Sequence, residues 1–135
     1  MYSKIYLIDD VELVNLMHLV LLRKLGLEDK VISFTDPEKA LDHLRFQETN
    51  SEPILILLDI NMPVMTGFEF LEFMLLEKFP SNIDVVIVTS SIYYEDRILA
   101  ETYPQFVKDF VSKPLGAEKL SKLVQQRISN PLWLS

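Results

Sequence analysis

Short apolar runs punctuate this chain, and each stops at a residue carrying charge or a hydroxyl. Ile5-Tyr6-Leu7-Ile8 ends at Asp9-Asp10, Ile54-Leu55-Ile56-Leu57-Leu58 ends at Asp59, and Val85-Val86-Ile87-Val88 ends at Thr89. Runs of this length with every position apolar predict strands buried on both faces of a parallel sheet. The pattern predicts strands over 4–9, 31–34, 54–58, 85–88 and 108–112, the last mixed in polarity and therefore at an edge. Apolar residues at helical spacing predict helices over 11–25, from Pro37 to about Gln47, 68–78, 95–102 and 117–128. The punctuation agrees. Gly26 closes the first helix, Asp36-Pro37 offers the second an N-cap and a first-turn proline, Pro80 follows the third, and Asn130-Pro131 ends the last.

Five strand–helix units in alternation predict an α/β fold: a five-stranded, doubly wound parallel sheet with helices on both faces and right-handed crossovers. There is no internal repeat, low-complexity tract or linker, so a single domain is expected over 1–130, with a short tail over 131–135 and no output domain. In the first helix Val14, Met17, Leu21 and Leu25 form the expected core stripe, and Leu13, Leu16 and Val20 a second, exposed stripe beside it. The third helix has Phe70, Leu71, Met74 and Leu75 as its core set, which leaves Phe68, Phe73 and Leu76 in excess. His18 is expected near the core and His43 on the surface, neither as a ligand, and Trp133 is expected to fold back onto the body.

Composition narrows the function. A net charge of −7, from 13 basic and 20 acidic residues, lacks the basic footprint that direct nucleic-acid binding needs. With no cysteine there is neither a disulfide nor a thiolate metal site. No signal-peptide pattern and no run of membrane-spanning length is present, so no membrane association and a cytoplasmic location are expected.

In a parallel sheet all strand carboxyl ends share one edge, the edge where open α/β folds bind ligands. Asp9, Asp10, Asp59, Thr89 and Lys113 should meet there. Three gathered carboxylates repel one another unless a cation sits among them, and magnesium favours such oxygen donors. A carboxylate can attack phosphorus, and a hydroxyl and an ammonium can hold phosphoryl oxygens. The scattered glycines make no phosphate-cradling loop, so the donor is expected to be a phosphoprotein or small phospho-donor rather than bound ATP. Taken alone, Asp9-Asp10 also fits simple capping of the first helix, and Pro63 and Gly67 fit loop geometry.

These residues, with the loop Asp59-x-Asn61-x-Pro63-x-x-x-Gly67 and the pair Lys113-Pro114, resemble the response-regulator receiver domains of two-component signalling, particularly chemotaxis-type single-domain regulators. The resemblance covers nearly the whole chain and implies a flavodoxin-like strand order 2-1-3-4-5. It implies Asp59 as phosphoacceptor, attacking the phosphohistidine of a histidine kinase or phosphotransfer protein. Asp10, Asp59 and the Asn61 main-chain carbonyl would ligate Mg2+, with Asp9 acting through a metal-bound water. Thr89 and Lys113 would hold phosphoryl oxygens, and Thr89 would work with Phe110 as the switch pair. The Lys113–Pro114 bond would be cis. Partner helices would dock on Leu13, Leu16 and Val20, output would pass to a downstream protein effector, and a phosphorylation-dependent homodimer is a further implied partner. Such a protein is no enzyme in the usual sense, since it catalyses only its own phosphorylation and dephosphorylation.

Two features depart from the family pattern. Ser90 stands where a smaller residue is favoured, and the stretch from Thr89 to Lys113 is slightly long; Asn61 and Ser91 would flank the hydrolytic water's route. The competing readings are a phosphorylation-independent interaction module and an aspartate-nucleophile phosphatase. The phosphatase reading requires a second aspartate two residues after one at the end of the first strand, where this chain has Val11.

Overall fold

A computed structural model describes residues 1–47, 52–125, 127–128 and 130–134. Five parallel strands, β1 (Lys4–Ile8), β2 (Val31–Phe34), β3 (Ile54–Leu58), β4 (Ile83–Thr89) and β5 (Val107–Ser112), form one sheet in the order β2-β1-β3-β4-β5. The helices are α1 (Glu12–Lys24), α2 (Pro37–Arg45), α3 (Gly67–Leu76), α4 (Tyr94–Ala100) and α5 (Ala117–Gln125). This is the flavodoxin-like order, with β5 at one edge as its mixed polarity predicts.

The alternation of side chains along each strand divides the core in two. Ile5, Leu7, Leu55, Leu57, Val86 and Val88 face α1 and α5, meeting Leu22, Leu120, Leu123 and Val124. Tyr6, Ile8, Ile56, Leu58, Val85 and Ile87 face the opposite way, against Leu41 and Leu44 of α2, Phe70, Leu71 and Met74 of α3, and Ala100 of α4. All five residues of β3 are buried. Each fully buried Leu or Ile contributes about 1.5–3 kcal/mol. Trp133 is partly buried against the α2–α4 side, folded back as expected.

Several helix ends differ from the sequence reading. The helix expected over 117–128 is helical over Ala117–Gln125, and Gln126 lies outside the described residues, as do Ser129 at the expected domain end and Ser135 of the tail. Beyond it the chain is held by polar bonds at the amino edge of the sheet. The Arg127 guanidinium sits 3.2 Å from the fully buried Asp84 carboxylate, Tyr2 Oη donates to Asp84 at 2.8 Å, and Ile128 N–H donates to Tyr2 Oη at 3.1 Å. These bonds draw Arg127 and Ile128 off the helical path. Strand β4 begins at Ile83, earlier than the apolar run, because Asp84 is buried through this pairing. In α3, the Thr66 side chain and Glu69 form a reciprocal capping box that starts the helix at Gly67.

The expected core stripe of α1 is a correction. Met17 and Leu25 are 51% and 41% exposed, whereas the residues buried are Asn15, His18 and Leu22. Leu13, Leu16 and Val20 are exposed as expected. Residues 13–22 contain no charged side chain, so apolar spacing could not single out one face. His43 also differs: it is half-buried, and Tyr6 Oη lies 2.7 Å from its Nδ1. Burial pushes the Tyr6 hydroxyl up to about 12, so it stays protonated beside the ring. In α3, Phe68 packs partly against the core and stacks on Tyr103, while Phe73 and Leu76 remain exposed.

Candidate functional site: an acidic cluster at the carboxyl edge of the sheet

The strand ladder does not stop where the strands do. Asp9 N–H donates to Phe34 O at 3.2 Å, Asp59 N–H to Ile8 O at 3.0 Å, and Lys113 N–H to Thr89 O at 2.8 Å. Each of these residues lies one step past its strand, yet its amide still bonds the neighbouring strand. Their side chains therefore leave the sheet edge from fixed backbone positions.

Asp9 and Asp59 are nearly fully buried and Asp10 is half-buried. A carboxylate oxygen from each lies within 4.8 Å of the others. Lys113, the cation facing them, places Nζ 2.7 Å from Asp9 Oδ2 and 3.7 Å from Asp59 Oδ2. Asp9 Oδ1 accepts from Val11 N–H at 2.9 Å, and Asp59 Oδ1 from Asn61 N–H at 3.2 Å. Burial raises the Asp59 carboxyl above its ordinary range and Asp9 and Asp10 add to this, while the Asn61 amide and Lys113 oppose it. Three carboxylates against one ammonium leave an excess of hard, anionic oxygen, which fits a divalent cation such as magnesium.

Thr89 is fully buried. Its Oγ1 accepts from Ser91 N–H at 3.1 Å and from Asn61 Nδ2 at 3.4 Å, which leaves the hydroxyl proton free to donate. Ser91 Oγ in turn donates to Asp96 in the first turn of α4. The Lys113–Pro114 peptide is cis. Gly67 explains its own place in the loop: a Cβ there would lie 2.6 Å from Asp59 O and 2.8 Å from Ile60 Cα, so α3 can start this close to β3 only without a side chain.

Of the residues singled out from sequence, Asp9, Asp10, Asp59, Asn61, Thr89 and Lys113 come together at this edge. Phe110 does not join them: it is half-buried on β5, with the Arg97 guanidinium 6.0 Å from its ring centre. Leu13, Leu16 and Val20 line an apolar groove of about 710 Å³ between α1 and the segment Lys113–Ala117. Lys113 thus belongs to both the groove and the acidic cluster. His18 is buried in the groove wall, and burial lowers its pKa. Sequence reasoning missed Asn15, which is 3% exposed and donates to the main-chain oxygens of Asp9 and Phe34. An amide within an otherwise apolar helix, five residues after the acidic pair, was the available signal.

The profile of the family described as "Response regulator receiver domain" matches residues 5–125. The "Probable methanogenesis regulatory protein FilR2" of Methanothrix harundinacea is 31% identical over 105 residues, which is 76% of this chain and 66% of that protein. The chain spans smaller shares, 15–32%, of other curated relatives it matches. Among solved structures, a two-component response regulator from Cytophaga hutchinsonii superposes with a TM-score of 0.71 at 30% identity, covering 89% of this chain and 92% of that one. Chemotaxis protein CheY4 of Vibrio cholerae superposes with a TM-score of 0.74 at 25% identity, covering 93% and 98%.

Proposed function

The chain belongs to the response regulator receiver domain family of two-component signalling, and on that premise we propose that it takes a phosphoryl group onto Asp59 from a phosphohistidine protein, with Mg2+. One observation carries this reading: Asp59 shares a 4.8 Å cluster with Asp9 and Asp10 while Lys113 faces it from the next-but-one strand. Asp10, Asp59 and the Asn61 main-chain carbonyl would hold the magnesium, with Asp9 acting through a bound water. When bound, the ion neutralises charge on the transferring phosphoryl oxygens.

An Asp59 carboxylate oxygen attacks phosphorus in line; the new O–P bond replaces the P–N bond to the donor imidazole, which leaves with the bond's electron pair and takes up a proton. Lys113 and the free hydroxyl proton of Thr89 then meet phosphoryl oxygens. The chain catalyses only this transfer and the later hydrolysis of its own acyl phosphate, and it acts on no other substrate.

The added charge draws Thr89 toward the phosphoryl group and away from its bonds to Ser91 and Asn61. Ser91 also binds Asp96 of α4, so the β4–α4 loop, α4 and Phe110 would shift together and change the surface offered to an effector or a second copy. The donor's helix would dock along the exposed Leu13, Leu16 and Val20 of α1, beside Lys113. No helix among the described residues is long and apolar enough to cross a membrane, and a cytoplasmic setting suits a kinase-fed receiver.

The test is intact-mass spectrometry after incubation with acetyl phosphate, with and without magnesium, on wild type and Asp59→Asn. A magnesium-dependent gain of one phosphoryl group in wild type alone is expected. Equal labelling of Asp59→Asn would remove Asp59 as the acceptor, and labelling that ignores magnesium would remove the metal.

A further inference from the structure

Asn15 sits on the buried face of α1, only 3% exposed. Both hydrogens of its Nδ2 are used, one on Asp9 O at 3.1 Å and one on Phe34 O at 2.9 Å. Phe34 O also receives the Asp9 N–H at 3.2 Å, and Asp9 Oδ1 receives the Val11 N–H at 2.9 Å. The backbone of Asp9 is thus held at its amide by β2 and at its carbonyl by Asn15. That carbonyl belongs to the peptide leading into Asp10, so the same bond sets where both carboxylates of the acidic pair leave the chain.

The rest of the Asn15 side chain argues that stability is not its purpose. Its Oδ1 is buried and has no partner among the described residues. A buried carbonyl without a donor is unfavourable, and a leucine of similar volume would remove it. The amide is explained by what its nitrogen does to Asp9 and Asp10. We infer that Asn15 is a positioning residue for the cation site, fixing the Asp9–Asp10 peptide against the end of β2 so that both carboxylates are presented to Asp59. This rests on the proposed role of the acidic cluster as a cation site. Outer groups that orient metal ligands in this way typically change metal affinity about 10–100-fold when removed.

The experiment compares wild type, Asn15→Leu and the control Leu120→Ala, which opens the core at a fully buried position on α5. Mn2+ is the probe, its binding followed by loss of the free-ion electron paramagnetic resonance signal. Thermal melting and amide hydrogen exchange are recorded on the metal-free proteins. Asn15→Leu should bind Mn2+ about tenfold more weakly, with faster exchange at the Val11 amide and unchanged exchange along β3. Leu120→Ala should lose melting temperature and keep its Mn2+ affinity. Unchanged Mn2+ affinity in Asn15→Leu, or a loss no larger than the control's, would overturn the inference. If wild type itself fails to bind Mn2+, the cation reading of the cluster falls; the Val11 exchange then decides, and an unchanged rate rejects the positioning role. Should Asn15→Leu not fold, Asn15→Ser gives the same readouts with one donor removed.

Discussion

A Cβ placed on Gly67 would stand 2.6 Å from the carbonyl oxygen of Asp59. The residue that opens α3 therefore touches the backbone of the residue that carries the chemistry, and Gly67 N–H bonds Ile60 O at 3.1 Å across the same contact. Neither contacting backbone atom can yield without moving the end of β3. Gly67→Ala should cost about 1–3 kcal/mol of stability, the usual range for overpacking, and should also slow labelling by acetyl phosphate. Denaturant unfolding with a labelling time course checks both. A variant that labels at the wild-type rate would mean that the loop relaxes without disturbing Asp59.

Charge at the cluster is unfavourable when no cation is present. Burial and the nearby Asp9 and Asp10 all act against an ionised Asp59. Asp59→Asn should therefore raise the metal-free melting temperature by a few degrees, as about 1 kcal/mol does for a domain of this size. Added magnesium should stabilise wild type more than the variant. Melting curves with EDTA and with excess magnesium measure the difference. A variant less stable than wild type in EDTA would contradict the repulsion.

Lys113 supplies the compensating charge. Lys113→Met keeps most of the side chain's bulk and leaves Asp9 and Asp59 without their ammonium neighbour. The variant should lose stability without metal and recover part of it with magnesium, while phosphoryl transfer stays impaired under both conditions. Melting and labelling at matched magnesium concentrations separate the two effects.

His18 provides a pH signature. Burial is the main cause of its pKa lying below the ordinary 6.5; Lys113 acts in the same direction and Asp9 against it. The unfolded chain therefore takes up a proton at this histidine before the folded protein does. Its contribution to stability is full above 6.5 and declines as the pH falls below that value toward the folded pKa. His18→Leu should flatten the fall in stability between pH 7 and the folded-state pKa, as read by denaturant midpoints across that range. An identical pH profile would show that His18 takes up its proton over the same pH range in the folded and unfolded states.

The strand ends were readable because a buried parallel strand leaves a long apolar run, and the first polar residue after it lies at a predictable edge. Asp9, Asp59 and Thr89 follow this logic, whereas Lys113 follows a strand of mixed polarity. The face of α1 was not readable, since an uncharged helix from Leu13 to Leu22 has several equivalent stripes. Its buried side carries Asn15, His18 and Leu22, and the bond from Asn15 reaches Phe34, 19 residues away on another strand. Asp84 was missed for a similar reason. An aspartate early in a strand suggests a loop until Tyr2 and Arg127, remote in sequence, are seen to bond it.

Tyr2→Phe isolates that second cluster. The change removes the donor to Asp84 and the acceptor for Ile128 N–H, at an expected cost of about 1–3 kcal/mol. Phosphoryl acceptance should be unaffected, because the residue lies at the opposite end of the strands from Asp59. Slower labelling at a temperature where the variant is fully folded would refute this separation.

The Tyr2–Asp84–Arg127 cluster and the acidic cluster lie at opposite ends of a sheet whose central strands are five to seven residues long, a span of roughly 15–25 Å. At the first, Asp84 is paired with Arg127, while the second holds three carboxylates against one ammonium, and it is the distance between them that weakens their interaction. The molecule therefore has a grip at one end of its strands and a reactive tip at the other. A label, surface tether or crystal contact placed at the grip leaves the tip's electrostatics as they were, and the same attachment at the tip would act on the cation and the acceptor directly.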